Sequence, residues 1–373
     1  MKIAVLKERA EGETRVALTP ETAKKFIALG ADVAIEAGAG EAAAISDAAY
    51  TDVGATVGPA QETLKDAGIV LGVQAPDPAT LGGAKEGAFV AALFDPFRER
   101  ERVDAYAKAG LEALSMEFMP RITRAQSMDV LSSQSNLSGY KAVIAAADQY
   151  GRAFPMMMTA AGTVQPARVF VMGVGVAGLQ AIATAKRMGA QVSATDVRSA
   201  TREQIESLGA KAIFVAEGGI EGEGSGGYAS EMSDEYKAAQ AKLVSEHIAK
   251  QDIVITTALI PGRPAPRLIS DDQIATMKPG SVIFDIAVPQ GGNVEGAVAD
   301  QLVTRHGVTI MGYANTPAHL APDASALFAR NLYNFLSAFW DGEAGEPVLD
   351  EEIGDAVRLT KGGQVVSARL KEG

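Results

Sequence analysis

One continuous run, residues 168–196, constrains the fold more than any other part of the chain. It reads RVFVMGVGVAGLQAIATAKRMGAQVSATD, which is an apolar run, a glycine-rich turn, a segment with helical character and a second apolar run. Short apolar runs bounded by glycine are typical of buried parallel strands, and a helix between two of them makes a βαβ unit. We therefore expect a parallel sheet with helices packed on it.

The same alternation extends over most of the sequence. Strands are predicted at 2–6, 32–38, 68–74, 88–93, 168–172, 191–196, 211–215, 252–258, 281–287 and 308–312. Helices are predicted at 20–30, 177–189 and 322–340. A chain of 373 residues can hold two cores of this kind. The expected fold is α/β, with two Rossmann-like doubly wound parallel-sheet domains and a cleft between them.

The order of these elements predicts where the domains divide. Residues 1–133 and 320–373 are expected to form the first domain, which the C-terminal helix completes. Residues 134–319 are expected to form the second, dinucleotide-binding domain. A stretch rich in Gly, Glu and Ser at about 216–235 has few core residues, so it is predicted to be a mobile loop.

Composition excludes several classes of function. The formal net charge of −12 argues against nucleic-acid binding, which needs a cationic surface. The sequence has no cysteine, so disulfides and thiolate nucleophiles are excluded. His247, His306 and His319 are scattered, and no metal site is predicted. No apolar run reaches the length of about 18 residues that a membrane span needs, so a cytoplasmic location is expected.

The turn after the strand at 168–172 carries a G-x-G-x-x-G pattern that opens a helix. In such a turn the first glycine permits the tight bend, the second lets backbone approach a pyrophosphate, and the third lets the helix pack close to the strand. The helix N-terminus adds free N–H groups and a partial positive charge. The cofactor-binding residues predicted here are Gly173, Val174, Gly175, Val176, Ala177 and Gly178.

An acidic residue, Asp196, ends the next predicted strand. It lies where a dinucleotide-binding domain places the acid that binds ribose hydroxyls, about 20 residues beyond the glycine turn. Such an acid repels a 2′-phosphate, so NAD(H) is expected rather than NADP(H). Val197 and Arg198 extend this site, and Arg198 could accommodate a phosphate. We give the acid more weight and interpret Arg198, like Arg124, as a solvated charge; Lys7 and Glu8 are interpreted as a surface pair.

Uncharged hydrogen-bonding residues are concentrated in RITRAQSMDVLSSQSNLSGY, residues 121–140. One interpretation is a capped helix start, in which Ser132, Ser133 or Ser135 caps a helix over 139–151. A cap leaves Arg121, Gln126 and Asp129 unexplained. The functional interpretation is a site for a neutral group with donors and acceptors, such as the carboxamide of nicotinamide.

These motifs together resemble a known family. The segments RITRAQSMDVLSSQSNLSGYKAV, TAAGTVQPARVFVMGVGVAGLQAIATAKRMGA, ATDVRS, GGYASEM and TTALIPGRPAPRLI are similar to the NAD(H)-binding alpha component of proton-translocating nicotinamide nucleotide transhydrogenase. The resemblance extends over essentially the whole chain. It implies direct hydride transfer from C4 of NADH to C4 of NADP⁺, which a partner component holds.

The resemblance also implies roles for individual residues. Arg121 and Asp129 would form an ion pair that borders the nicotinamide, Gln126 would bridge to the partner nucleotide, and Ser132 would hold the carboxamide. Tyr228 would belong to the mobile loop that closes over NAD(H). Ala258 and Leu259 would shape the pocket after a late strand.

Partners and location follow from the same resemblance. It implies an NADP(H)-binding component and a transmembrane component that moves protons, both outside this chain. A homodimer is expected, in the cytoplasm and peripherally associated with the inner membrane through the partner subunits.

Two alternatives remain open. An alanine-dehydrogenase-like amino-acid oxidoreductase shares the expected fold, and Arg15 matches that family's arginine for the substrate carboxylate. However, Gln74 stands where that family has lysine, and the segment at 91–97 has no histidine to act as acid or base. The other alternative is a non-catalytic NAD-sensing module, because a glycine turn marks binding rather than chemistry.

Overall fold

A computed structural model describes residues 1–215, 234–260 and 262–371. The chain divides into two compact units, which are described separately below. The first contains Met1–Gln134 and Ala318–Gly373, and the second contains Ser135–Pro317. No helix among the described residues combines the length and the apolar character that crossing a membrane requires.

The strands and helices of the described residues are numbered in chain order. The strands are β1 Lys2–Val5, β2 Asp32–Glu36, β3 Thr56–Gly58, β4 Ile69–Gln74, β5 Phe89–Leu93, β6 Glu112–Ser115, β7 Met157–Thr159, β8 Gly162–Val164, β9 Arg168–Met172, β10 Gln191–Thr195, β11 Lys211–Ala212, β12 Ile253–Thr256, β13 Val282–Asp285, β14 Val303–Arg305, β15 Val308–Met311, β16 Trp340–Asp341, β17 Glu346–Pro347, β18 Thr360–Lys361 and β19 Gln364–Val365. The α-helices are α1 Pro20–Ala28, α2 Asp47–Thr51, α3 Ala60–Leu64, α4 Arg100–Lys108, α5 Val130–Gln149, α6 Val176–Arg187, α7 Thr201–Ser207, α8 Asp234–Ile248, α9 Asp271–Ala275, α10 Ala321–Ala338, α11 Gly354–Val357 and α12 Ala368–Lys371.

The sheet of the first unit has the strand order β3-β2-β1-β4-β5-β6, and all its pairings are parallel. This is the order of a dinucleotide-binding sheet, in which the winding direction reverses between β1 and β4. The sequence did not predict β3 or β6. Both are short edge strands, and only one residue of β3 and β6 together is apolar and β-branched, so the local signal is weak.

Two helices cover one face of this sheet. Thr19 caps α1 through a capping box with Thr22, and Pro20 occupies the first turn, where its missing N–H costs no hydrogen bond. The helix α10 belongs to this unit and packs against α1. Buried side chains from both helices share one core with the strands, among them Phe26, Phe328, Leu332, Phe335 and Leu336. Each contributes about 1.5–3 kcal/mol through burial.

The second unit repeats the plan. Its large sheet has the order β11-β10-β9-β12-β13-β15-β14, and within this sheet the edge pair β14–β15 is antiparallel while the other described pairings are parallel. Apolar side chains cover both faces of the central strands, which explains why those strands read as continuous apolar runs. The winding reverses between β9 and β12. The α/β fold with two Rossmann-like parallel-sheet units is therefore confirmed.

Candidate functional site

The carboxyl ends of β9, β10 and β12 lie side by side in the second unit, and the glycine turn follows β9. The Gly173 N–H donates to the Thr195 carbonyl at 2.9 Å, and the Thr257 hydroxyl donates to the Gly173 carbonyl at 3.0 Å. Gly173 has φ +94, which disfavours any side chain. A Cβ on Gly178 would lie 1.9 Å from the Gly173 carbonyl oxygen. Both glycines are therefore required by the turn itself.

Gly175 differs from its two neighbours in the motif. Its backbone is extended, with φ −81 and ψ −163, which any residue can adopt. A Cβ built there would meet no described atom within 4 Å. Neither packing among the described residues nor backbone conformation requires a glycine here.

Helix α6 begins at Val176, directly after Gly175. The first N–H groups of a helix have no acceptor within the helix, and they carry the positive end of its dipole. The Leu179 N–H is bonded to the Gly175 carbonyl, so the amides of Val176, Ala177 and Gly178 form the open end. These residues form a favourable site for an anion.

A second glycine contact at this helix start was missed in the sequence. Gly139 lies within α5, and a Cβ there would lie 2.0 Å from the Ala177 carbonyl oxygen. Alpha-helix α5 therefore approaches α6 at backbone contact distance. An isolated glycine inside a helical pattern was the available signal, since such a residue costs helix stability unless close packing needs it.

Asp196 is buried immediately beyond the end of β10. Its Oδ2 accepts a hydrogen bond from the Val174 N–H at 2.7 Å, which ties the acid to the glycine turn. Arg198 donates to the same carboxylate through its backbone N–H and its guanidinium, each at 2.9 Å. Burial alone would raise the pKa of Asp196, but the hydrogen bonds from Arg198 and Val174 leave it below its usual value.

The interpretation of Arg198 as a solvated charge is wrong. Only 17% of its side chain is exposed, because the guanidinium lies against Asp196. Arg124 in the first unit is more exposed, and it pairs with Asp350 and Glu352. Val197, which lies between these two residues in the sequence, is half-buried.

A buried asparagine holds the segment after β12. Asn293 Oδ1 accepts from the Ala258 N–H at 3.0 Å, and its Nδ2 donates to the carbonyls of Ala258 at 2.9 Å and Pro266 at 2.8 Å. Ala258 and Leu259 are both half-buried. Sequence reasoning missed Asn293, because nothing local distinguishes it from a loop asparagine.

Asp285 in turn holds Asn293. Its Oδ2 accepts from the backbone N–H groups of Asn293 at 2.7 Å and Val294 at 3.0 Å. Its Oδ1 accepts from the Thr256 hydroxyl at 3.0 Å. Burial raises the pKa of Asp285 against these hydrogen bonds. The ends of β12 and β13 and the loop at 293–294 are thereby fastened together.

In the first unit, the polar stretch has a different local structure from the one predicted. Alpha-helix α5 already begins at Val130, so the predicted helix start at 139 and the serine caps are wrong. Asp129 caps the helix: its Oδ1 accepts from the Ser132 N–H at 3.0 Å, and its Oδ2 accepts from the Ser132 hydroxyl at 2.5 Å. Ser133 lies inside the helix and donates to Asn331 Oδ1 at 2.7 Å.

The remaining residues of this set lie just before α5. Gln126 is exposed on the 3₁₀ helix Thr123–Met128, and Arg121 is exposed ahead of it. Asn331 and Asn334 of α10 both donate to the Ser127 carbonyl, which holds this 3₁₀ helix in place. The ion pair between Arg121 and Asp129 stays a prediction. Tyr228 and most of the predicted mobile loop lie outside the described residues.

Arg15, the residue that matched the alanine dehydrogenase pattern, lies in a buried polar cluster of the first unit. Its Nε and Nη2 donate to Glu13 at 2.7 and 2.6 Å, and its Nη1 donates to Gln134 at 2.9 Å. Gln74 Nε2 donates to the same Glu13 carboxylate at 2.9 Å. Burial opposes ionisation of Glu13, yet these donors keep its pKa below the usual value. The charge of Arg15 is therefore neutralised internally.

Glu8 lies beside this cluster rather than in a surface pair with Lys7, so that prediction is wrong. The Glu8 carboxylate accepts from the backbone N–H groups of Val73 at 2.6 Å and Gln74 at 3.2 Å. Burial raises its pKa to about 7, and the negative charge of Glu13 adds to the effect. The Lys7 ammonium instead lies 3.8 Å from Glu41.

Family comparisons cover both units. Residues 4–138 match the domain family "Alanine dehydrogenase/PNT, N-terminal domain". Residues 142–368 match the domain family "Alanine dehydrogenase/PNT, C-terminal domain".

Individual relatives agree with these matches. The chain is 51% identical over 379 residues to the first part of NAD(P) transhydrogenase subunit alpha of Rhodospirillum rubrum, covering 99% of each chain. It is 31% identical over 303 residues to alanine dehydrogenase of Mycobacterium tuberculosis, covering 80% of this chain and 75% of that one. A solved transhydrogenase structure from Sinorhizobium meliloti has 52% identity and a TM-score of 0.89, covering 98% of this chain and 100% of that one. The resemblance inferred from the sequence is confirmed.

Proposed function

Because the chain belongs to the alanine dehydrogenase/PNT family, we propose that it is the NAD(H)-binding component of a proton-translocating transhydrogenase. In this proposal the chain is one subunit of an enzyme complex. NADH supplies a hydride from C4 of its nicotinamide, and NADP⁺ held by a partner component accepts it at C4. A separate membrane component couples the transfer to proton translocation. The chain itself would form a homodimer in the cytoplasm, at the inner membrane surface.

Gly175 carries the proposal. Gly173 and Gly178 are explained by the turn and by helix packing, but a side chain at Gly175 would meet only open space among the described atoms. A glycine that neither packing nor conformation requires supports close approach of a ligand to the backbone. The open helix N-terminus beside it favours an anionic ligand, which fits the pyrophosphate of a dinucleotide.

The other predicted residues of the second unit fit the remaining parts of NAD(H). Asp196 has a depressed pKa and is ionised at neutral pH, so it can accept hydrogen bonds from ribose hydroxyls. Ala258 and Leu259 follow β12, at the same edge of the sheet as the glycine turn. Ligands of open α/β sheets bind at this carboxyl edge, beside the point where the strand order reverses.

In the first unit, Asp129 and Ser132 support a role toward the nicotinamide carboxamide. The Ser132 hydroxyl proton is directed at Asp129, so the lone pairs of the Ser132 oxygen remain to accept from an amide NH₂. Gln126 carries both a donor and an acceptor in an exposed position. We propose that these residues, with Arg121 and with Tyr228 from the loop, orient the ring and exclude water while hydride passes.

An amino-acid oxidoreductase is less well supported. Arg15 is 3% exposed and paired with Glu13, and Gln74 has no proton to exchange at neutral pH. These residues therefore offer neither a free cation for a substrate carboxylate nor an acid or base.

Isotope transfer tests the proposal directly. The purified chain is mixed with an NADP(H)-binding transhydrogenase component, NADH deuterated at C4 and an NADP⁺ analogue. We expect deuterium at C4 of the reduced analogue. Binding of NADH without any transfer would support the NAD-sensing alternative. Reduction of NAD⁺ with alanine by the chain alone would support the amino-acid oxidoreductase.

A further inference from the structure

The carboxylate of Asp196 is surrounded by donors from its own chain. Val174 N–H reaches Oδ2 at 2.7 Å, while the Arg198 N–H and Nε reach Oδ1 and Nη2 reaches Oδ2, each at 2.9 Å. A carboxylate offers roughly four lone-pair positions in all. The guanidinium therefore competes with an incoming ribose diol for acceptor positions on the Asp196 carboxylate.

The surroundings of Arg198 hold its main chain as well as its side chain. The Thr201 hydroxyl donates to the Arg198 carbonyl at 2.7 Å, and the Thr201 N–H does so at 3.2 Å. The pair is largely buried, with 6% of the Asp196 side chain and 17% of the Arg198 side chain exposed. A restrained and largely desolvated ion pair interacts more strongly than one in open solvent.

A neighbouring arginine provides a contrast. Arg202 lies one turn further along, with its guanidinium 4.7 Å from the centre of the Phe214 ring. That contact is with an aromatic face rather than with a carboxylate. Arg198 and Arg202 thus carry the same charge and lie four residues apart in the sequence. Of the two guanidinium groups, that of Arg198 contacts Asp196, the residue predicted to bind the ribose.

We propose that Asp196 and Arg198 form a coenzyme-selecting pair, in which Asp196 takes the place of a 2′-phosphate on Arg198 and thereby suppresses a phosphate-binding arginine. This inference rests on the proposed function, since it concerns the adenosine end of the same site. Loss of the Asp196 charge releases Arg198 to bind the 2′-phosphate that distinguishes NADP(H) from NAD(H).

Two physical effects support this assignment. A 2′-phosphate brings a charge of about −1.5 to −2 next to an ionised carboxylate, and the repulsion excludes it while Asp196 is charged. Once that charge is absent, a guanidinium at the same place is the side chain best matched to phosphate, because it can donate two parallel hydrogen bonds.

The experiment compares two small ligands, 5′-AMP and 2′,5′-ADP, by titration calorimetry on the intact chain. Each carries one 5′-phosphate, so they differ only in the 2′-phosphate, and the readout needs neither nicotinamide nor hydride transfer. Wild type is expected to prefer 5′-AMP. Asp196→Asn keeps an oxygen for the Val174 N–H but removes the charge. We expect it to bind 2′,5′-ADP about tenfold to a hundredfold more tightly than 5′-AMP, as charge-assisted hydrogen bonds allow.

Two double variants show whether Arg198 or Arg202 binds the 2′-phosphate. Asp196→Asn with Arg198→Ala is expected to lose the preference for 2′,5′-ADP. Asp196→Asn with Arg202→Ala is the matched control and is expected to keep it. A folded Asp196→Asn chain without the preference overturns the inference, and so does a preference that survives loss of Arg198 but not of Arg202.

Arg198→Ala alone gives a second measurement in a chain that retains Asp196. Because the competing donors are removed, 5′-AMP should bind about threefold to tenfold more tightly than it binds to wild type. Weaker binding of 5′-AMP by Arg198→Ala would contradict the proposed competition between Arg198 and the ribose. The proposed function fails separately: a wild-type chain that binds neither NADH nor 5′-AMP contradicts it, whereas the ligand preference of Asp196→Asn still decides the role of Arg198.

Discussion

Asn293 pairs with the peptide of Ala258 as a neighbouring strand would, donating to its carbonyl at 2.9 Å and accepting from its N–H at 3.0 Å. The two residues come from different loops of the second unit. Asn293 is fully buried, and its third hydrogen bond reaches Pro266. One amide side chain thus fixes the backbone at a position that we propose to lie against the cofactor.

Asn293→Ala is expected to destabilise the protein by about 2–4 kcal/mol, because buried polar groups at Ala258 and Pro266 lose their partner. NADH binding should weaken as well, since the segment at 258–259 loses its support. Urea unfolding and calorimetric titration measure the two effects. Asn136→Ala serves as the control, because Asn136 is exposed and its side chain donates only to Gln180 at 3.3 Å among the hydrogen bonds described; its effect on stability should stay within about 0.5 kcal/mol.

Substitutions at Gly175 and Gly178 should separate binding from folding. Gly175→Ala adds a methyl group that meets no described atom within 4 Å, so thermal stability should be retained or slightly increased. NADH affinity should fall about a hundredfold or more if the pyrophosphate approaches this backbone. Gly178→Ala places a Cβ 1.9 Å from the Gly173 carbonyl oxygen and should destabilise the fold itself. Unchanged NADH binding by Gly175→Ala would contradict the proposed site.

Glu8 should give the first unit a pH-dependent stability. Its pKa rises from 4.5 to about 7 on folding, because burial disfavours the charged form. The folded state therefore binds more protons than the unfolded state between these values, and the stabilising contribution is lost as the pH rises from about 4.5 to 7. Glu8→Gln should remove about 1–3 kcal/mol of this pH dependence, measured by urea unfolding from pH 5 to 8. If the free energy of unfolding of Glu8→Gln falls with pH as steeply as that of wild type, groups other than Glu8 cause the pH dependence.

Asp129 and Ser132 combine a structural and a proposed functional role, which two substitutions distinguish. Asp129→Ala removes the acceptor at the start of α5 and should cost about 0.5–2 kcal/mol in stability. Ser132→Ala leaves the Ser132 N–H bonded to Asp129 and should affect stability less. It should still slow deuteride transfer from NADH, because the oxygen proposed to hold the carboxamide is lost. A transfer rate equal to that of wild type would exclude Ser132 from the site.

The sequence was sufficient for features that depend on neighbours along the chain. The period of the apolar runs predicted the β–α alternation and the fold class, since a strand buried on both faces has little freedom in composition. The turn from β9 into α6 is a local structure, so its three glycines could be recognised without the rest of the molecule. Asp196 followed from its place at the end of the next strand. The family resemblance depends on these same segments.

Tertiary structure decided the features that depend on residues distant in sequence. The strand order brought the backbone N–H groups of Val73 and Gln74 to Glu8, which turned an apparent surface charge into a partly buried, hydrogen-bonded acid. The same kind of convergence placed Asn293 on Ala258 and Glu13 on Gln74. Burial and the set of available donors determine whether a polar side chain is solvated, paired or protonated, and both are supplied by segments far away in the chain. For that reason the sequence identified which residues could bind a dinucleotide, while only the folded chain showed which of their charges are already paired.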